Sequence, residues 1–284
     1  MAIPTLNSYA LPTAAELPAN KVTWAFEPAR AALLIHDMQE YFLNFWGEDS
    51  PLIEQVVANI ARLREYCKSQ GIPVFYTAQP NEQSAEDRAL LNDMWGPGLN
   101  KHPDQQKVVA ALAPDEHDQV LVKWRYSAFH RSPLESILNE TGRDQLIICG
   151  VYAHIGCLTT ATDAFMRNIK PFMVADALAD FSREEHMMSL TYTAGRSGRV
   201  VMTETLLPLP QSKEQLRAVV LPLLDEDSDD LLDSENLVDY GLDSVRMMAL
   251  AARWRQVHSD IDFIALAKNP SIDGWWALLS REPA

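Results

Sequence analysis

Short apolar runs alternate with stretches of helical spacing along the first two thirds of the chain. Ala31–His36 reads as a strand. Ser50 then offers an N-cap, Pro51 fits the first helical position, and Gly71 marks the far end. Between them Leu52, Ile53, Val56, Val57, Ile60, Leu63 and Cys67 recur at helical spacing. Residues 72–77, 120–123, 146–151, 172–175 and 200–203 read as further strands. Leu158, Ala161, Thr162, Phe165 and Met166 supply another helical face. The alternation predicts an α/β fold: a mainly parallel, doubly wound sheet with helices on both faces.

The pattern changes after Pro208-Leu209-Pro210. Beyond it no strand run occurs. Residues 216–224, 244–257, 264–268 and Ile272–Leu279 read as helices, with an acidic loop at 225–235. This predicts a small all-α four-helix bundle with a short third helix. The expected organisation is an α/β domain at 1–207, a linker at 208–213 and a helical domain at 214–284.

Charge sharpens that division. The 284 residues hold 24 Lys+Arg and 39 Asp+Glu, a formal charge of −15. Residues 211–284 hold 7 and 14 of these, net −7, which leaves 17 and 25, net −8, for the first 210. Two modules with different partners are implied. An acidic chain is a poor non-specific ligand for nucleic acid or an anionic membrane, so neither is expected as a partner. No apolar run approaches the roughly 18 residues of a membrane span. The first basic residue is Lys21, unlike a secretory signal. Cys67, Cys149 and Cys157 form neither a disulfide framework nor a paired metal motif. A reducing cytoplasm is the expected compartment.

In an open α/β sheet, ligands sit beyond the carboxyl ends of the strands. The first strand ends in Asp37, the second runs into Gln79, the third ends in Lys123, and the fourth leads to Tyr152, His154 and Gly156. Polar groups at four strand ends converge on one crevice. Taken singly, each has a plainer structural role. Trp95 could pack a loop, Arg88 could be a helix-surface charge, and His36 and His154 could be structural histidines rather than metal ligands.

Asp37, Lys123 and the stretch Gly150-Val-Tyr-Ala-His-Ile-Gly-Cys-Leu-Thr-Thr-Ala-Thr-Asp-Ala164 resemble the isochorismatase-like hydrolases. In the cysteine hydrolases of that family an Asp–Lys–Cys triad works, with the Cys seven residues before the Asp of Thr-x-x-Asp-Ala. Seven residues before Asp163 stands Gly156, so the nucleophile is missing here. The resemblance then points to the isochorismatases, which cleave a vinyl ether by acid chemistry. It implies Asp37 as the acid, its pKa raised by burial among Leu34, Ile35 and Met38. Lys123 and Gly156 complete the catalytic set, with Gly156 leaving room for substrate. Phe42, Gln79, Arg88, Trp95 and Tyr152 surround isochorismate, Arg88 and Lys123 pairing with its carboxylates. A non-proline cis peptide near Val151–Tyr152 and a homodimer are also implied; no cofactor is needed for the hydrolysis. The nicotinamidase branch carries extra Asp/His ligands after the first strand, and no His lies here between His36 and His102. Two other possibilities stay open: a cysteine amidohydrolase using Cys157 at a helix N-terminus, and an inactive scaffold.

The string Leu237-Val-Asp-Tyr-Gly-Leu-Asp-Ser-Val-Arg-Met-Met resembles the attachment motif of carrier proteins. It implies 4′-phosphopantetheine on Ser244, where a helix start favours the phosphodiester. Asp243-Ser244 is also an ordinary capping pair. Asp225, Gly241 and Asp243 are candidate Mg²⁺ neighbours, although a solvated acidic loop explains them as well. Met248, Phe263 and Ala267 are candidates either for the core or for a partner surface. The implied partners are a phosphopantetheinyl transferase, a ligase that activates 2,3-dihydroxybenzoate and a condensing nonribosomal peptide synthetase, in siderophore assembly.

Overall fold

Strands β1 (Ala31–His36), β2 (Val74–Ala78), β3 (Gln119–Val122), β4 (Gln145–Val151), β5 (Lys170–Ala179) and β6 (Arg199–Val201) form a six-stranded sheet in the order β3-β2-β1-β4-β5-β6. Every neighbouring pair runs parallel. The computed structural model describes residues 3–207, 209–210, 212–224, 230–255 and 260–281, with 252 and 253 as backbone only. The chain divides into two compact units, Met1–Leu206 and Leu207–Ala284.

The strand order reverses between β1 and β4, both of which are buried along their whole length. Burial on both faces requires continuous apolar runs, as in Ala-Ala-Leu-Leu-Ile and Leu-Ile-Ile. One face packs Ala32, Leu34, Leu146 and Ile148 against Leu134 and Leu138 of helix Leu134–Glu140 and Ala161 and Ala164 of helix Leu158–Met166. Helix Pro51–Ser69 packs against β5, β1, β2 and β4, burying Leu52, Val56, Ile60, Leu63 and Cys67. Its Ser50 cap accepts from Ile53 N–H, and Gly71 adopts a φ of +65° past its end.

Two local expectations need correction. β5 extends to Ala179, beyond the expected end at residue 175, where the half-buried Asp176 interrupts the apolar pattern. The Asp176 carboxylate accepts from the backbone N–H and hydroxyl of Thr203 and starts the short helix Thr203–Leu206 there. Helix Leu158–Met166 buries its small stripe Thr160, Ala161 and Ala164, while Phe165 and Met166 face outward. Small side chains let this helix approach the sheet closely.

The second unit packs helices Lys213–Val220, Ser244–Trp254, Phe263–Lys268 and Ile272–Leu279 around one core. Trp254 and Trp275 meet edge to face at 5.5 Å, and Trp275 Nε1 donates to the Leu266 carbonyl. In the Ser244 helix Met247, Leu250, Ala251 and Trp254 are buried, whereas Val245 and Met248 are exposed.

Candidate active site and carrier serine

A pocket opens at the reversal point between β1 and β4. It gathers Asp37, Phe42, Gln79, Arg88, Trp95, Lys123, Tyr152 and Gly156, all expected from sequence. Asp37 directly follows β1 and has a φ of +50°. Its Oδ2 receives the Lys123 ammonium at 2.8 Å, and its Oδ1 accepts from the Thr77 hydroxyl at 2.5 Å. Both charged side chains are buried.

The raised pKa expected for Asp37 is not found. Burial pushes its pKa upward; the charge of His36 when protonated, the charge of Lys123 and the Lys123 and Thr77 hydrogen bonds pull the other way and hold it below the ordinary carboxylate value. Without substrate, Asp37 is a carboxylate. Burial also lowers His36 to about 4, despite the opposing attraction of Asp37, so its imidazole is neutral.

Gly156 lies in a single π-type turn, Ala153–Cys157, that follows the cis peptide Val151–Tyr152. The space beside it holds the His36 ring, not an open substrate cavity as expected. Cys157 points the other way, into the apolar core with Leu146 and Ala161. Burial drives its thiol well above the usual range, so the turn provides no thiolate.

The walls are aromatic. Tyr152 donates to the Phe42 carbonyl at 2.8 Å and meets Phe181 edge-on at 4.7 Å. Trp95 Nε1 donates to the Tyr126 hydroxyl at 2.9 Å. Gln39, wholly buried, accepts from Gln79 N–H and donates to its carbonyl, which fixes the Gln79 backbone. Arg88 is 4% exposed rather than a surface charge. It donates to the Gly96 carbonyl and Gln83 Oε1, and among the described residues no carboxylate pairs with it. Arg125, absent from the sequence-derived set, is a second cation on this wall, donating only to the carbonyls of Asp87 and Trp124 among the described residues. Lys123, by contrast, is committed to Asp37.

Phe181, Tyr126, Tyr41 and Ile3 also line the pocket and were missed. Phe181 follows Asp180 just past β5, so the strand-end rule finds it once β5 is given its full length. Nothing in the local sequence marks Ile3. His154 pairs with Asp180 at 2.5 Å, and its other nitrogen lies 3.8 Å from Glu185. Asp180 also accepts the backbone N–H groups of His154 and Phe181, so the pair ties the turn to the loop carrying Phe181.

In the second unit Ser244 is exposed at the start of its helix. Gly241 turns the chain with a φ of +90°, and Asp243 Oδ1 caps the Arg246 N–H at 2.7 Å. An exposed hydroxyl at a capped helix N-terminus, with exposed Val245 and Met248 beside it in sequence, fits a phosphodiester-linked arm. Phe263 and Ala267 are exposed too, so none of the three residues with an uncertain role belongs to the core. Gly241 and Asp243 make a poor cation cradle: the Asp243 carboxylate caps the helix, and the Arg246 guanidinium donates to the Gly241 carbonyl. Asp225 lies outside the described residues.

The isochorismatase domain profile matches residues 31–205, and the phosphopantetheine attachment site profile matches 214–279. The chain therefore belongs to the isochorismatase family and is bifunctional, an enzyme domain joined to a phosphopantetheine carrier domain. It is 75% identical over 284 residues to enterobactin synthase component B of Escherichia coli (strain K12), covering 99% of both chains. It is 47% identical to an isochorismatase of Bacillus subtilis (strain 168), covering 99% of this chain and 96% of that one. A cysteine hydrolase structure from Pseudomonas syringae pv. phaseolicola 1448A aligns with a TM-score of 0.59 at 26% identity, over 66% of this chain and 93% of that one. Neither the amidohydrolase nor the inactive scaffold is favoured by these likenesses.

No helix among the described residues is long and apolar enough to cross a membrane.

Proposed function

We propose that residues 1–207 hydrolyse isochorismate to 2,3-dihydro-2,3-dihydroxybenzoate and pyruvate. We further propose that residues 214–284, beyond a linker at 208–213, carry 2,3-dihydroxybenzoate as a thioester on a Ser244-linked arm. The product line is enterobactin, as in the 75% identical relative. One observation carries the enzyme assignment. Among the described residues, a carboxylate sits on the pocket floor, two guanidinium groups without carboxylate partners lie on its wall, and the pocket lining includes no thiol.

Isochorismate brings two carboxylates to Arg88 and Arg125. Entry of this dianion excludes water and sets negative charge near Asp37, which raises its affinity for a proton. Protonated Asp37 then gives that proton to the enol-ether CH₂. The resulting oxocarbenium ion adds water at its carbon. The added water gives one proton back to Asp37 as the hemiketal forms. The hemiketal then collapses: its hydroxyl proton passes to the ring oxygen, the C–O bond to that oxygen breaks, the ring keeps the hydroxyl, and the carbon becomes the pyruvate carbonyl. Lys123 and Thr77 hold the carboxyl throughout. Phe42, Trp95 and Tyr152 wall the ring, and Gln79 orients it.

Purified protein should release pyruvate from isochorismate, and Asp37→Ala should abolish release. No release from the wild type overturns the enzyme assignment. On the carrier side, a phosphopantetheinyl transferase should add one arm to the intact mass and leave Ser244→Ala unchanged. An addition that survives Ser244→Ala refutes the attachment site.

The partners follow from that chemistry: the transferase, a loading ligase and a condensing synthetase that meets Met248, Phe263 and Ala267. The exposed side chains Phe165, Met166, Met188 and Tyr192 support a homodimer through the first domain. The free cysteines Cys67, Cys149 and Cys157 support a cytoplasmic location.

A further inference from the structure

The His36 imidazole and Gly156 fit each other as a filled slot. His36 is wholly buried. A Cβ added at position 156 would lie 2.7 Å from His36 Nε2 and closer still to Cε1, inside the ring's van der Waals surface. A second glycine clamps the same residue from the β4 side. Gly150 has a φ of +111°, and a Cβ there would overlap the His36 carbonyl oxygen. His36 Nδ1 lies 2.7 Å from the Val151 carbonyl, which only accepts, so Nδ1 carries the proton and donates.

The clamp has a purpose one residue later. Asp37 holds a φ of +50°, in the left-handed region that an L-residue keeps only where its surroundings over-determine it. Thr77 and Lys123 fix the carboxylate. Thr77 Oγ1 also accepts the Asp37 N–H at 3.1 Å, the nitrogen end of the peptide on the β1 side, and the carbonyl end of that peptide belongs to His36.

We propose that His36 is the positioning residue for Asp37: its ring occupies the space that glycine leaves at position 156, and this interlock holds the Asp37 carboxyl at the pocket floor. The proposal rests on Asp37 being the acid of the hydrolysis. It also determines which reactions the pocket permits. No side chain of any kind, a nucleophile included, fits at 156 while the imidazole is in place.

A double-mutant cycle with Gly156→Ala, His36→Ala and the pair tests this. Gly156→Ala should lower kcat for pyruvate release about 100-fold, with a much smaller change in KM. In the His36→Ala background the same substitution should change kcat by less than about 2-fold. His36→Asn, which keeps an N–H donor near the Nδ1 position, should recover part of the kcat lost in His36→Ala. A melting cycle needs no substrate. Gly156→Ala should lower the melting temperature of the first domain by about 3–10 °C alone, and by none in the His36→Ala background. Additive losses in either cycle, or no recovery with His36→Asn, overturn the proposal. If Gly156→Ala does not fold, folding of the pair supports the interlock. Failure of the pair where His36→Ala folds overturns it. A wild type that melts normally but releases no pyruvate counts against the reaction, not against the interlock.

Discussion

Lys123 Nζ lies 2.8 Å from Asp37 Oδ2, with both side chains buried. The bond joins the end of β3 to the end of β1 across the intervening strand β2. It keeps a carboxylate charged inside an apolar pocket and makes each partner dependent on the other. Lys123→Met leaves that carboxylate uncompensated and should cost about 3–5 kcal/mol of stability. Denaturant unfolding of the first domain measures it, and Lys123→Met combined with Asp37→Asn should recover most of the loss.

The carboxylate-binding role of Arg88 and Arg125 appears in KM. Arg88→Gln should raise KM for isochorismate about 10–100-fold with a smaller change in kcat, since a charged hydrogen bond is worth about 1.5–3 kcal/mol. Arg88→Lys should rescue little, because an ammonium cannot replace a planar fork held by Gly96 and Gln83. Arg125→Gln should behave like Arg88→Gln. An unchanged KM would assign Arg125 to the loop it braces.

Acid should weaken the first domain below neutrality. Burial lowers both His36 and His186 to about 4 from an ordinary 6.5. Between those values the unfolded chain binds protons that the folded one does not, so stability falls as pH drops from about 6.5 to about 4. Each histidine contributes up to about 1.4 kcal/mol per pH unit over that window. Urea midpoints at pH 7.5 and 5 measure the slope, and His186→Phe should reduce it.

Cys157 gives a contrasting control. Its side chain packs in the core and its thiol stays protonated. Cys157→Ala should retain turnover while losing a modest amount of stability, read by pyruvate release and melting together.

In the carrier domain, Asp243 caps the helix that begins at Ser244. Asp243→Ala should destabilise this domain by about 1 kcal/mol, and Asp243→Asn should not, since asparagine caps equally well. Separate melting of the two domains resolves the difference.

The sequence by itself determined the α/β alternation, the helical second module and the strand-end residues Asp37, Gln79, Lys123, Tyr152 and Gly156, because burial periodicity and strand termination are local properties. It also marked Gly156, whose meaning needs only a count back from Asp163. Local pattern was blind to what other strands bring to the same place. Tertiary structure decided that the space at Gly156 belongs to His36, that Lys123 serves Asp37 rather than substrate, and that Arg125 and Phe181 complete the pocket. It also reversed the expected pKa shift of Asp37. Burial is legible from neighbours in sequence, but the opposing charge and hydroxyl come from β3 and β2, brought to Asp37 only by the parallel sheet. Position along the chain reveals which groups are polar, and only packing decides which of them share a proton.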